Sequence, residues 1–298
     1  MTFKDNKVNI IVIGKSGQLA TELNALSSNN VDITGLGRNE IDIEDQENIT
    51  KTLLKLKPDV IINAAAYTAV DLAEKEIEKA NQINGYSVGL LAEVCKSLAI
   101  HLVHVSTDFV FDGKSSTPYL TTDKHAPVNT YGASKAIGEK LLLELVPESC
   151  CIIRTAWVYS THGNNFVKTM LALMECKPEL GIISDQIGTP TYAKTLAKVC
   201  LFAAKNKLTG IHHWTDQGVA SWYDFAVAIQ ELALDKNLIS KNIAIKAITT
   251  ADYPTPAKRP NFSVLDKSQN TKIFPSELIL HWRQQLNCML NDLKNREN

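Results

Sequence analysis

The sequence predicts an α/β fold, a parallel sheet covered on both faces by helices and followed by a smaller second unit. Short β-branched apolar runs alternate with segments of helical periodicity, the first such run ends in a glycine turn that opens a helix, and the alternation loosens after Trp157. Val8 to Ile13 is a nearly continuous apolar run, as expected of a strand buried on both faces. Leu19, Leu23 and Leu26, spaced four and three apart, give the next helix its apolar stripe. Residues 31–36 read as a second strand, 45–56 as a helix, and 59–62 as a third strand after the stop at Pro58. One helical segment over 70–98, a strand at 101–106, a helix at 131–145 and a strand at 151–154 continue the pattern. Six or more parallel strands joined by right-handed crossovers follow, a doubly wound Rossmann-type sheet.

Beyond Trp157, helices are expected at 164–176, 192–205, 221–235 and 276–294, with a proline-rich stretch at 253–260. This change of texture sets the expected domains. Residues 1–156, with returning segments near 187–216, form the dinucleotide-binding unit, and 157–186 with 217–298 form a smaller α/β substrate-binding unit.

A chain of 298 residues that is 45% hydrophobic can bury a substantial core. Its 31 Lys and Arg against 32 Asp and Glu leave a formal charge of −1, which provides no basic field for nucleic acid or an anionic membrane. Cys95, Cys150, Cys151, Cys176, Cys200 and Cys288 form no C-x-x-C pair and sit in apolar stretches, as buried thiols in a reducing compartment do. Met1 to Lys7 lacks the apolar core of a signal peptide, and no apolar run approaches the ~18 residues of a membrane span, so a cytoplasmic location is expected.

Gly14-Lys-Ser-Gly17-Gln-Leu-Ala20 follows the first strand and opens a helix. Glycines there allow a tight turn and close approach of a pyrophosphate to the backbone. Ser16 stands where the dinucleotide fingerprint has its second glycine, so a ligand-free structural turn is the bland alternative. A phosphate loop of the G-x-x-x-x-G-K-[ST] kind fails, because its first glycine would fall at Asn9. The second strand ends in Gly37-Arg38, where NAD-binding proteins usually carry an acid for the ribose 2′-hydroxyl. An arginine there suits a 2′-phosphate, which leans the reading to NADPH with NADH as the alternative, although a solvated loop arginine would look the same.

Tyr131 and Lys135, four apart at a helix start, project on one face. A neighbouring ammonium favours phenolate and is expected to lower the tyrosine pKa toward working pH. Taken alone the pair is also an ordinary amphipathic couple. The strand ending in Ser106-Thr107-Asp108 adds a hydroxyl at the carboxyl edge of the sheet, where α/β proteins bind ligands. Together they form a constellation for reducing a ketone. Thr107 orients the carbonyl, Tyr131 protonates the developing alkoxide, and Lys135 holds the cofactor ribose and tunes Tyr131.

With these residues in place the chain resembles the extended short-chain dehydrogenase/reductase superfamily and, within it, the dTDP-4-dehydrorhamnose reductase family. The resemblance runs over almost the whole chain. It includes the glycine turn, residues 58–71, Ser106-Thr-Asp108, Tyr131-Gly-Ala-Ser-Lys135, Arg154-Thr-Ala-Trp157, Asn164-Asn-Phe166, residues 185–191 and Arg259-Pro260. It implies NAD(P)H-dependent reduction of the 4-keto group of a nucleotide-diphosphate 4-dehydro-6-deoxysugar, in dTDP-L-rhamnose synthesis. It further implies that Gly14, Gly17, Gln18 and Leu19 meet the pyrophosphate, Asp42 and Ile43 the adenine, and Ala65, Ala66 and Tyr67 the length of the cofactor. Thr107, Tyr131 and Lys135 would be catalytic, Asp108 and Trp157 would touch the sugar, and Arg259 would lie near the nucleotide diphosphate. Some family members are magnesium-linked dimers, so a homodimer is implied, but no carboxylate cluster marks a magnesium site and no metal ligand is assigned. His101, His104, His212 and His213 read as packed residues.

One departure stands out: Phe109 occupies a position where the family commonly has tyrosine, removing a hydroxyl that bears on sugar preference. Two alternatives stay open at this stage. A nucleotide-sugar epimerase or dehydratase could share the fold, though a dehydratase usually has Asp-Glu where this chain has Asp108-Phe109. A non-catalytic subunit like the beta subunit of methionine adenosyltransferase could share it too.

Overall fold

The computed structural model describes residues 7–297, so the N-terminal stretch read above falls, except for Lys7, outside the described residues. Strand β1 (Val8–Ile13) leads through the glycine turn into α1 (Gln18–Asn24), β2 (Val31–Leu36), α2 (Gln46–Leu56) and β3 (Val60–Asn63). Asp45 starts α2 by accepting from the N–H groups of Glu47 and Asn48. Leu26 lies just past α1 yet packs on the same core.

The single helix expected over 70–98 is broken into α3 (Val70–Ala73), α4 (Ile77–Asn81), a π-helical turn (Gln82–Tyr86) and α5 (Ser87–Ser97). The π turn turns Asn84 inward, where its amide bonds the backbone of Tyr67 at 2.8 and 3.0 Å and Ser134 Oγ at 2.9 Å. Apolar spacing does not report such a polar plug.

β4 (His101–Thr107), α6 (Thr130–Leu145) and β5 (Cys150–Thr155) follow, then β6 (Val158–Tyr159), α7 (Phe166–Cys176), β7 (Glu179–Ile183), β8 (Ile187–Gly188) and β9 (Thr191–Tyr192). The chain returns through α8 (Ala193–Lys205) and β10 (Gly210–His213), then runs through β11 (Ala220–Ser221), α9 (Trp222–Asp235), β12 (Ala244–Ile248), α10 (Asn270–Ile273) and α11 (Trp282–Glu297). The last helix begins later than periodicity predicts. A short 3-10 turn at Ser276–Leu278 comes first, and Gln217 N–H donating to Leu280 O, with Trp282 N–H donating to Gln217 O, holds the chain between it and α11 out of the helix.

Six parallel strands form the main sheet in the order β10-β5-β4-β3-β1-β2. The chain steps outward from β1 to β2 and then crosses to β3 on the other side, so the switch point lies at the carboxyl ends of β1 and β3. Pleating divides β1 between two cores. Ile10 and Val12 pack with α1 and α8, while Ile11 and Ile13 pack with α2, α5 and α6. A third core gathers Tyr159, Met170, Phe225, Ile229, Trp282 and Leu286 from the later segments. We propose that this third core defines the smaller domain. Cys95, Cys150, Cys151 and Cys200 are buried as expected, but Cys176 and Cys288 are exposed, at the end of α7 and on α11. No helix among the described residues is long and apolar enough to cross a membrane.

Glu139 fixes α6 against the sheet. Its carboxylate, fully buried, accepts from Arg154 Nη2 of β5 at 2.7 Å and from Nε at 3.1 Å, from Ser106 Oγ of β4, and pairs with His125 Nε2 at 2.9 Å. Burial pushes this carboxyl up, but the His125 hydrogen bond and the Arg154 charge prevail and hold it well below the usual carboxylate range. Glu139→Gln therefore leaves Arg154 as an uncompensated buried charge, and urea unfolding at pH 7 is expected to show a loss of roughly 3–5 kcal/mol. A depressed carboxyl stabilises above its unfolded pKa, so the deficit of the variant should shrink as pH falls below about 4.3. Equal stability of the two proteins at pH 7 would contradict this.

Candidate active site

The carboxyl edge of the sheet opens into a cavity of about 1470 Å³ lined by the glycine turn, the loops after β2 and β3, the end of β4, the start of α6 and Trp157. Gly14 has φ +107°, and a Cβ there would lie 2.9 to 3.1 Å from the backbone of Ala64 and Ala65. Only glycine fits such a turn. Gly17 caps α1 without a side chain over the first turn, whose residues Gln18 and Leu19 line the cavity. Backbone N–H groups left uncapped at a helix start suit an anion.

Arg38, Asp42 and Ile43 line one end. Arg38 is exposed and has no hydrogen bond or ion pair among the described residues, while the neighbouring Lys15 is engaged by Glu40 at 2.8 Å. Ala65 and Ala66 form the adjoining wall. Tyr67 differs from its neighbours. It is buried outside the lining, with its hydroxyl donating to Glu76 at 3.0 Å. Arg259 lies in the wall farther on, gripped by Asp71 through bonds of 2.7 and 3.0 Å.

The opposite end assembles Thr107, Tyr131 and Lys135. Asn129 caps α6 by accepting from Gly132 N–H at 2.8 Å. Gly132 lets the helix start close over β4, since a Cβ there would come 2.1 Å from the Phe109 carbonyl oxygen. The Phe109 and Tyr131 rings pack edge-to-face with centroids 5.8 Å apart, so Phe109 supports the Tyr131 ring and adds no hydroxyl to the site. Thr107 Oγ1 donates to Asp108 Oδ1 at 3.1 Å and accepts from Phe109 N–H at 3.2 Å, and its hydroxyl also faces the Tyr131 phenol.

Electrostatics here differ from the sequence expectation. Burial raises the Tyr131 pKa to about 12, with the Thr107 hydrogen bond acting in the opposite direction. The Lys135 amino group expected to lower it is engaged elsewhere, because its Nζ bonds Val105 O at 2.7 Å and His104 Nε2 at 3.0 Å. Burial pushes Lys135 down to about 8, partly opposed by Glu139, and pushes Asp108 up to about 6 against bonds from Ser263 and Thr107. Asp108 Oδ2 is buried without a partner among the described residues.

Trp157 is held at φ +48°, a left-handed conformation rare for a bulky residue, with its ring stacked on Trp222 at 3.6 Å and closing over Gly188. Sequence reasoning missed Trp222, the first residue of α9, which lies between the capping pair of Ser221 and Asp224. It also missed His104 and Asn63. His104 is packed, as expected, yet it contacts Lys135 and Asn63, a juxtaposition that depends on strand register. Among the described residues no group of three or more His, Cys, Asp or Glu converges on a common metal position.

Residues 8–295 match the RmlD substrate binding domain family. The chain is 42% identical over 273 residues to a dTDP-4-dehydrorhamnose reductase of Aggregatibacter actinomycetemcomitans, covering 89% of this chain and 92% of that relative. It is 38% identical over 304 residues to the enzyme of the same name from Escherichia coli (strain K12), covering 96% and 98%. Its fold matches a Bacillus anthracis dTDP-4-dehydrorhamnose reductase solved in complex with NADP, with a TM-score of 0.89 at 31% identity over 96% of this chain and 99% of that one.

The turn geometry gives a direct test. Gly14→Ala must strain its backbone and displace Ala64 or Ala65. Fluorescence titration with NADPH is expected to show at least roughly tenfold weaker binding, the equivalent of about 1.4 kcal/mol, and unchanged affinity would refute the placement of a dinucleotide on this turn.

Proposed function

The chain belongs to the dTDP-4-dehydrorhamnose reductase family, and from that premise we propose how its cavity divides between a nicotinamide dinucleotide and a nucleotide-diphosphate sugar. The reaction is reduction of the 4-keto group of dTDP-4-dehydrorhamnose to give dTDP-L-rhamnose. The observation that carries the assignment of roles is the convergence of Thr107, Tyr131 and Lys135 at the carboxyl edge, in one cavity with the Gly14 turn.

The residues present fit a dinucleotide. The Gly14 cradle, which a Cβ would fill, and the uncapped start of α1 suit a pyrophosphate, Asp42 and Ile43 suit an adenosine, and Ala65 and Ala66 give a smooth wall between. The unpaired Arg38 supports NADPH over NADH, since a guanidinium matches a 2′-phosphate. When bound, the nicotinamide supplies the hydride that reduces C4.

The side chains supply the rest. Thr107 Oγ1, turning its single proton from Asp108 Oδ1 to the ketone oxygen, holds that oxygen beside Tyr131. Tyr131 Oη gives its proton to that oxygen as charge develops, and water later restores the phenol. With a phenol pKa raised by burial, proton loss needs a nearby positive charge, which Lys135 provides as an ammonium. Asp108, buried with a free oxygen, is suited to a sugar hydroxyl, and the Trp157 ring to the sugar face. Arg259, already neutralised by Asp71, presents its guanidinium edge near the diphosphate. The Phe109 ring packs edge-on against Tyr131 and holds its phenol in place.

NADPH oxidation followed at 340 nm, a wavelength set by the reduced nicotinamide, is expected with dTDP-4-dehydro-L-rhamnose and to be weaker with the UDP and GDP counterparts. Tyr131→Phe should lower kcat by about 10²–10⁴-fold while NADPH binding persists. Near-normal turnover in that variant would sink the assignment of the acid.

A further inference from the structure

Lys135 is 1% exposed between β4 and α6, and its Nζ has two hydrogen-bond neighbours, Val105 O at 2.7 Å and His104 Nε2 at 3.0 Å. A carbonyl only accepts, so the lysine donates to Val105 in either protonation state. The direction of the other bond is decided across the imidazole ring. His104 Nδ1 lies 3.2 Å from Asn63 Nδ2, and the Asn63 amide is oriented by its Oδ1, which accepts from Ala65 N–H at 3.1 Å. Turning the amide over would point its NH₂ at that N–H. Asn63 therefore donates to Nδ1, which must be unprotonated. A neutral imidazole with a bare Nδ1 carries its proton on Nε2, so His104 donates to Lys135. An ammonium has no lone pair to accept with.

We propose that Asn63 and His104 are positioning residues that hold Lys135 as a neutral amine on its β4 side, His104 by donating Nε2–H to the lysine and Asn63 by fixing that tautomer. The inference rests on the reading of Lys135 as the partner of Tyr131 and gives that partner two states. To carry charge, Lys135 must release His104 and turn its Nζ toward the cavity. The tautomer is thereby coupled to the wall loop at Ala65, because one amide serves both.

The surroundings agree with this. Burial holds His104 far below the ordinary imidazole range, so its ring is neutral, and burial moves Lys135 toward its neutral form as well. The charged and titratable groups facing the pair are few. Glu139, one turn along α6, raises both, but it is held by Arg154 of β5 and by His125. Tyr131 lies one turn earlier on the same helix.

The test is ¹⁵N NMR of the full chain labelled at histidine, with the His104 signals identified by their loss in His104→Gln. The Nε2–H tautomer is expected at neutral pH. An Nδ1–H tautomer or an imidazolium would overturn the proposal, and neither result depends on turnover. Asn63→Asp is the second arm. Its carboxylate can accept Ala65 N–H on one oxygen and His104 Nδ1–H on the other, which reverses the tautomer and makes Lys135 the donor. The variant is expected to show the Nδ1–H signal, and the alkaline limb of kcat/KM for NADPH-dependent reduction should move up by about one pH unit as the ammonium is favoured. A retained Nε2–H signal or an unmoved limb would count against it. Failure of the wild type to reduce any nucleotide-linked ketosugar would refute the functional reading while leaving the tautomer measurement intact.

Discussion

The arrangement of this site depends on a single buried carboxylate. Glu139 receives Arg154 from β5, Ser106 from β4 and His125 from the loop before α6, so one side chain sets the height of the helix above two neighbouring strands. Lys135 is one turn before it, and Tyr131 one turn before that. Thr107 follows Ser106 directly. The three groups assigned to the chemistry thus inherit their spacing from an ion pair that itself touches no reacting atom. A buried pair of this kind is poor evidence for net stability, because desolvation of both charges offsets much of their attraction. Its value here is registry, since any slide of α6 along the sheet would leave the Arg154 guanidinium unpaired in the interior.

Burial acts on the neighbouring groups in opposing senses. It favours the neutral form of every one of them, raising Tyr131 and Asp108 and lowering Lys135 and His104. A phenol raised to about 12 is a reluctant acid, and a lysine lowered to about 8 is close to surrendering its charge at physiological pH. The functional consequence is that proton transfer depends on where the lysine proton is and which way its Nζ points. The hydrogen-bond path from Ala65 through Asn63 and His104 governs both without contacting the phenol.

Much of the fold was legible because a buried parallel sheet writes itself as β-branched runs separated by helices, and β1, β2 and α2 fall where periodicity puts them. The glycine turn and the Tyr131–Lys135 spacing were legible for the same local reason. What was not legible is polar and non-local. The break of the helical segment at 82–86 answers to Asn84 reaching Tyr67 and Ser134. His104 reads as a core residue because its neighbours are apolar, and only the register of β3 against β4, with Asn63 opposite His104, gives it partners. Trp222 is likewise an unremarkable first residue of α9 until it stacks on Trp157. The expected lowering of Tyr131 by Lys135 failed because spacing along a helix says that two side chains share a face, and not which other acceptors they meet.

The cavity also depends on contacts that join distant parts of the chain. Glu22 on α1 accepts from Ser160 Oγ at 2.6 Å, Gln18 accepts from Asn165 Nδ2 at 2.9 Å, and the loop at Gly163 closes over Gln18. On the other side Asp71 holds Arg259 across 188 positions of sequence. The first pair fastens the glycine turn, where the dinucleotide is assigned, to the loop that leads into α7. The second fastens the loop after β3 to the segment that carries Arg259. Each assigned ligand therefore faces a wall built from both halves of the chain. The spacing between the two ends of the cavity is therefore set by the joint between the halves rather than by either alone.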